Sequence, residues 1–250
     1  MPVYQNSPIQ EASCEFHFDP SSLWDMAVPG LFFEQVREGF PKRKPMRTVE
    51  SSPGQTTNDH QIKLVDRLQC WSEDEKSLLQ ISSNFFCVNQ LNPYQGWDSF
   101  KGMILSGLNA YVTCAGVPIV QSMVMRYVDL ITIPVENALP IGEWFHFHSN
   151  MLTLPNSWSE TLAAFLVGHQ YLRFEGRDLL SVHLSTSQPV NGKPTFLLDT
   201  QYALVQPDAI KVGRTEQWLD DAHSAVIEMF EACITDQLRE TFHPNDHARI

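Results

Sequence analysis

Apolar and polar positions alternate in the first patterned stretch of the chain. From Ala12 to Phe18, Ala12, Cys14, Phe16 and Phe18 share one face while Ser13, Glu15 and His17 share the other, which predicts a half-covered strand. Pro29 and Gly30 then open a helical stretch in which Leu31, Phe32, Gln35 and Val36 precede Phe40. From Pro41 to Asp59 no apolar period survives, and Pro, Lys, Arg, Ser, Gly and Asn dominate; that composition predicts a mobile surface loop. Ile62, Leu64, Leu68 and Cys70 mark the next strand. After a polar turn at Ser72–Lys76, a second strand carries Leu79, Ile81, Phe85 and Cys87 and continues towards Leu91, the two forming an antiparallel hairpin.

The period then changes. Trp97, Phe100, Ile104, Leu105, Leu108, Tyr111, Val112 and Ala115 recur at three- or four-residue spacing, the mark of an amphipathic helix laid on a sheet. Alternation resumes from Met123 to Ile133 with both faces apolar: Val124, Val128 and Leu130 on one, Met125, Tyr127 and Ile131 on the other. That predicts a central strand covered on both sides, in which Arg126 and Asp129 stand out. A short helix near Ile141–Phe147 and three strands near Leu162–Phe174, Leu179–Ser185 and Thr195–Val205 follow, with Arg177 and Asp178 in a turn. The last element is a helix capped by Thr215 and stopped by Pro244, with Trp218, Leu219, Ala222, Val226, Phe230, Ile234, Leu238 and Phe242 on its apolar stripe. Read as one piece over Glu216–Phe242, it is about 40 Å long.

This order predicts an α+β fold, mainly antiparallel sheet packed by long amphipathic helices. Helices are too rare between strands for a Rossmann or barrel arrangement. Two related halves, 1–118 and 119–250, would produce the same order while forming one compact domain, although no residue-level repeat is visible.

Charge changes the picture only for partners. With 29 acidic and 17 basic residues the formal charge is -12, which disfavours generic attraction to nucleic-acid phosphates or anionic lipid. No stretch reaches the roughly 18 apolar residues of a spanning helix. The first residues, with Pro2, Gln5, Asn6, Pro8 and Glu11, do not read as a secretory leader. Cys14, Cys70, Cys87, Cys114 and Cys233 are scattered, odd in number and without a CxxC pair. They predict reduced, buried thiols and a cytoplasmic setting.

Motifs for nucleotide, zinc or serine-hydrolase chemistry are absent. His146 and His148 share a face if extended, but no further ligand follows, and aromatic packing explains them better than a metal; no metal or cofactor is expected. His243, Asp246 and His247 near the chain end are equally well read as a solvated tail. The pairs Glu11/Glu15 and Glu228/Glu231 have acid–base spacing yet also suit a wet face, and Ser157, Ser159 and His169 share no geometry. Lys42, Arg43, Lys44 and Arg47 form the compact basic cluster. With Tyr94 and Trp97 it would make a single-strand nucleic-acid surface if the fold joined them, against the simpler reading of a solvated loop. Arg126, on an apparently buried strand, needs a carboxylate or carbonyls: an internal polar network, or an anchor for an anionic ligand.

The segments EASCEFHF, PGLFFEQV, LVDRLQCWSED, VNQLNPYQGWDSF, MRYVDLITIP and AHSAVIEMFEACITDQLRETF together resemble an uncharacterised, sporadically distributed prokaryotic protein family of about this length. The resemblance runs over nearly the full chain and implies family membership without carrying an activity. It places Asn89, Gln90, Tyr94, Gly96 and Trp97 in one block and Phe230, Glu231, Thr235 and Asp236 in another. Asn also fits the pattern at Asp129, which argues against a strict catalytic carboxylate there. The resulting binding candidates are Arg126, Asn89, Gln90, Tyr94 and Trp97. The expected role is a non-enzymatic interaction or accessory protein, with a protein partner or small ligand, and a homodimer through part of Glu216–Phe242. The alternative is a small-molecule enzyme such as a hydrolase, with its residues distributed in a cleft between halves.

Overall fold

The computed structural model describes residues 4–19, 24–53, 60–135, 141–147 and 164–244, with the backbone alone at 48–53 and 60–64. Nine strands form one antiparallel sheet: β1 (Ile9–Phe18), β2 (Lys42–Pro53), β3 (His60–Trp71), β4 (Ser77–Ser82), β5 (Phe85–Leu91), β6 (Val120–Thr132), β7 (Leu166–Arg173), β8 (Asp178–Thr186) and β9 (Thr195–Leu204). Their order is β2-β3-β4-β5-β1-β6-β9-β8-β7, so the sheet is open, with β2 and β7 at its edges and the β1–β6 pair near its middle. The helices are α1 (Val28–Val36), α2 (Trp97–Ala115), α3 (Thr215–Cys233) and α4 (Asp236–Thr241). The α+β, antiparallel class is as the periodicity indicates.

Helices α1, α2 and α3 pack on one face. Ala12, Cys14, Phe16 and Phe18 of β1 turn towards them with Phe86 and Val88 of β5, Met123, Met125 and Tyr127 of β6, and Tyr202 and Leu204 of β9. A Cβ at Gly107 would lie 2.8 Å from Phe86 Cζ, so glycine there permits α2 to settle on β5. A second apolar group joins Ile131, Trp144, Phe145, Leu184, Phe196 and Leu198 to Phe230, Ile234, Leu238 and Phe242.

Several sequence expectations are corrected. Pro41–Asp59 is not one loop: Lys42–Pro53 is edge strand β2, paired with β3 from Lys42↔Trp71 onward. An edge position tolerates Pro45, and Lys44 lies over the Trp71 ring at 4.8 Å. The apolar run from Leu79 is two strands, because the turn at Ser83–Asn84 reverses the chain and puts Phe85 on the opposite face from Ile81. Asp178 belongs to β8 rather than to a turn.

The final helix breaks. Ile234 is extended (φ -104, ψ 147), and Thr235 accepts from Leu238 N at 3.3 Å to start α4. The opened backbone bonds Trp144–His146 instead: His146 N donates to Cys233 O and Thr235 N to Trp144 O. Periodicity survives because Leu238 and Phe242 still reach the core. Of Met229, Phe230, Ile234 and Leu238, around which a homodimer is expected, the last three are buried within the fold and Met229 is half-buried.

Candidate functional site

Where the two apolar groups meet, the covered face is incompletely filled. A cavity of about 800 Å³ lies between the sheet, the start of α2, the middle of α3 and the segment Tyr4–Ile9. That segment is tied down by Leu130 N donating to Pro8 O, and by Gln5 N and Asn6 N donating to His243 O and Phe242 O. Gly96, at φ 95, makes the left-handed step from β5 into α2 and brings Tyr94 and Trp97 to the wall.

The walls are aromatic and cross-linked. Trp97 stacks on His223 of α3 with centroids 4.1 Å apart and planes at 5°. Its indole Nε1 donates to Asp220 Oδ1 at 3.1 Å, and Lys101 Nζ reaches Asp220 Oδ2 at 2.8 Å. Tyr94 Oη, Tyr127 Oη and His223 Nδ1 form a chain with steps of 2.9 and 3.1 Å. Tyr4 Oη donates to Glu231 Oε1 at 2.5 Å, and Arg239 Nε donates to Glu231 Oε2 at 2.9 Å.

The floor differs from the walls. Alternation along β6 puts Tyr127 and Asp129 on the cavity side, and the register sets Thr200 of β9 opposite Tyr127. Asp129 is 2% exposed and Thr200 1%, yet among the described residues Asp129 Oδ1 and Thr200 Oγ1 have no hydrogen-bond partner. Burial, with a smaller contribution from the Asp199 charge, pushes the Asp129 carboxyl up to about 8, so it holds a proton at neutral pH. Burial pushes His223 down to about 4 against the pull of Asp220 and Asp98, leaving it uncharged. Burial also raises Tyr94 to about 12 and Tyr127 well above its ordinary value, so the hydroxyl chain is neutral.

Of the residues singled out in the sequence, the fold brings Tyr94 and Trp97 to this cavity. Gln90 faces the same side; its Oε1 accepts from Gln95 N at 3.4 Å and its buried Nε2 has no partner among the described residues. Arg126 and Asn89 lie on the other side of the sheet. The expectation that β6 is covered on both faces is corrected: α3 covers the Tyr127 face, and the Arg126 side chain is 40% exposed. Arg126 grips Asp199 through Nε at 2.9 Å and Nη2 at 2.7 Å. Asn89 donates to Glu11 Oε1 at 2.6 Å and accepts from Gln80 Nε2 at 3.0 Å, part of a polar ladder across that face.

The weaker candidates stay apart. Glu15 bonds His17 on the ladder face, Glu228 is exposed and Glu231 is engaged by Tyr4 and Arg239. Lys42, Lys44 and Arg47 of β2 pair with Glu73, Glu75 and Asp66 at the sheet edge and Arg43 lies over the Phe33 ring, away from Tyr94 and Trp97. His148, Ser157, Ser159, Asp246 and His247 lie outside the described residues. Among the described residues no three His, Cys, Asp or Glu side chains are grouped to hold a metal, and no helix is long and apolar enough to cross a membrane.

Sequence reading missed Thr200 and His223. Nothing marks Thr200, but His223 sits beside Leu219, Ala222 and Val226 on an apolar stripe, and a lone polar residue there is a usable signal.

No protein-family model and no curated protein matches the chain. Among solved structures, the S-type phycobiliprotein lyase CPES from Guillardia theta is similar at 6% identity over 78% of this chain and 85% of that one, with a TM-score of 0.16. So slight an overlap carries no argument about fold or ligand.

Proposed function

We propose that the protein is a small-molecule-binding protein, acting as an accessory or interaction component, with its ligand in the cavity floored by β6 and β9. The observation that carries this reading is a pair of buried polar atoms, Asp129 Oδ1 and Thr200 Oγ1, which find no hydrogen-bond partner among the described residues and belong to side chains lining an aromatic cavity of about 800 Å³. A buried polar group without a partner costs about 1–3 kcal/mol, so a chain that keeps two together gains from whatever satisfies them. The volume falls in the range of small-molecule sites, and aromatic walls with a few convergent polar groups suit a ligand held by both shape and hydrogen bonds.

A fragment panel of neutral, cationic and anionic compounds tests this, read by nuclear magnetic resonance at the Trp97 indole N–H. Saturable binding at Trp97 with dissociation constants below about 1 mM is expected. Binding confined to other surfaces, or none, would refute the reading.

A second reading, a small-molecule enzyme such as a hydrolase, draws on the same Asp129, since a carboxyl that keeps its proton near neutral pH is a general acid. It lacks an activated nucleophile. Ser7, Thr200 and Ser224 line the cavity, and among the described residues none bonds to His223 or to a carboxylate. Turnover of an ester or amide panel that Asp129→Asn abolishes would favour the enzyme.

A further inference from the structure

We infer that the occupant of the cavity is a small organic cation, an amine or quaternary ammonium with an apolar body, whose charge is met at Asp129 and whose body lies against Tyr94, Trp97, Tyr127 and Phe230. This rests on the small-molecule reading above and narrows it to one ligand chemistry.

The lining decides the sign of the charge. Asp98, Asp129, Asp220 and Glu231 line the cavity, and among the described residues no lysine or arginine does. Two of these acids are already partnered, Asp220 by Lys101 and Glu231 by Arg239. Asp98 and Asp129 make no ion pair among the described residues, and Asp129 is the one at the buried floor. His223, the remaining titratable group of opposite sign, is neutral above about pH 4.

Helix α2 begins at this cavity without a side-chain cap, a feature that would welcome an anion in other surroundings. Here Asp98 occupies that first turn without an ion pair among the described residues, and an anion would meet it beside Asp129, while Lys101 and Arg239 are already held by Asp220 and Glu231. A cation meets the reverse. Aromatic ring faces attract a cation, and a net charge of -12 raises the local concentration of cations. A neutral ligand could satisfy Asp129 and Thr200 but would leave the acidic lining unused.

Binding is proton-linked. A cation that pairs with the Asp129 carboxylate displaces the carboxyl proton to solvent, so one proton leaves as one cation enters. The groups around Asp129 are Tyr127 on its own strand, Asp199 on β9 with Arg126 clamped to it, and Cys233, Glu231 and His223 from α3. Tyr4, and Tyr94 with Asp98 at the start of α2, complete the surroundings. Of these, His223 titrates near 4 and the tyrosines far above neutrality, so the slope between about pH 6 and 8 belongs to Asp129.

Isothermal titration calorimetry with benzyltrimethylammonium, benzyl alcohol and benzoate, between about pH 6 and 9, tests this. The quaternary ammonium carries its charge throughout, so its own titration does not enter. It should bind at least about tenfold more tightly than the other two near pH 8.5, weaken about tenfold per pH unit below 8 and release close to one proton per cation at the acidic end of the range. Asp129→Asn should lower its affinity at least about tenfold and remove the pH slope. Trp97→Leu should weaken it without changing that slope, which keeps the test open if the first variant folds poorly. Benzyl alcohol or benzoate binding as tightly as the cation would overturn the inference and leave the small-molecule reading standing. Failure of all three probes, with fragments still found at Trp97, would also overturn the inference alone. Failure of probes and fragments together would remove both.

Discussion

Asp129 and Asp178 are both buried carboxyl groups on the covered face of one sheet, and they have opposite surroundings. Asp178, 0% exposed, receives Arg177 Nε and Nη2 at 3.2 and 2.6 Å, Tyr202 Oη at 2.8 Å and Trp218 Nε1 at 3.4 Å. Those donors come from the turn before β8, from β9 and from α3, so one side chain knits three elements. Among the described residues Asp129 Oδ1 receives no donor, and Asp129 lines a cavity. Where the fold uses a buried carboxylate for its own cohesion, it surrounds the oxygens with N–H and O–H groups. Where it leaves one bare, the free hydrogen-bonding capacity is available to something else.

The largest expected consequence is a pH dependence of stability with unusual sign. The folded-state pKa of Asp129, about 8, exceeds its ordinary value of 3.8, so the folded state binds the extra proton between those limits. Stability from this group is full below about pH 4 and is lost as pH rises towards 8, by about 1.4 kcal/mol per unit. His223 works the other way: its folded pKa, about 4, lies below 6.5, so its contribution is present above 6.5 and lost as pH falls. The two slopes cancel between about 4 and 6.5, leaving a decline between about 6.5 and 8. Urea unfolding across this range should show that decline in the native protein and not in Asp129→Asn; parallel curves would contradict it.

Asp178→Ala should be the next effect in size, a loss of about 2 kcal/mol, because it strands the Tyr202 hydroxyl and the Trp218 N–H in the core. A loss under about 1 kcal/mol in chemical denaturation would remove the contrast between the two carboxylates. Thr200→Val, which deletes an unpartnered hydroxyl at nearly constant volume, should leave stability unchanged or raise it by up to about 1 kcal/mol. A clear loss would mean that Thr200 is satisfied in the unliganded protein. The smallest effect belongs to the other face. Arg126 is 40% exposed, so Arg126→Ala should cost about 1 kcal/mol or less and leave the Trp97 wall undisturbed. Asp199→Asn should in addition lower the Asp129 pKa, since the Asp199 charge helps to raise it.

How far the sequence reaches is visible in the MRYVD segment. Period two separates Tyr127 and Asp129 from Arg126 without any structure, and the unusual residues of the strand are the ones engaged in polar chemistry. What alternation cannot supply is which face the helices cover. Val124, Val128 and Leu130 read as buried, although the sheet presents that face half-open beside Asn89, Glu11 and Arg126. Trp97 and Tyr94 were legible as aromatic positions around the entry to a helix, but the stack on His223 joins residues 126 positions apart, and only the pairing of α2 with α3 creates it. The break at Ile234 is hidden for a different reason: a short extended step left the apolar stripe in phase, while the Thr235-Asp236 cap that marks it was outweighed by the periodicity.

The most direct test is a carbon-13 nuclear magnetic resonance titration of the Asp129 side-chain carboxyl, assigned by comparison with Asp129→Asn. A midpoint near 8 in the unliganded protein is expected, since the carboxyl is buried and among the described residues Oδ1 has no donor. Addition of a saturating ligand that pairs with the ionised form should move that midpoint down by a unit or more, as about 1.4 kcal/mol of differential interaction requires. A midpoint near the ordinary 3.8 would show a solvated or donor-paired carboxylate and would contradict the assignment of this cavity as a site with an unsatisfied anchor.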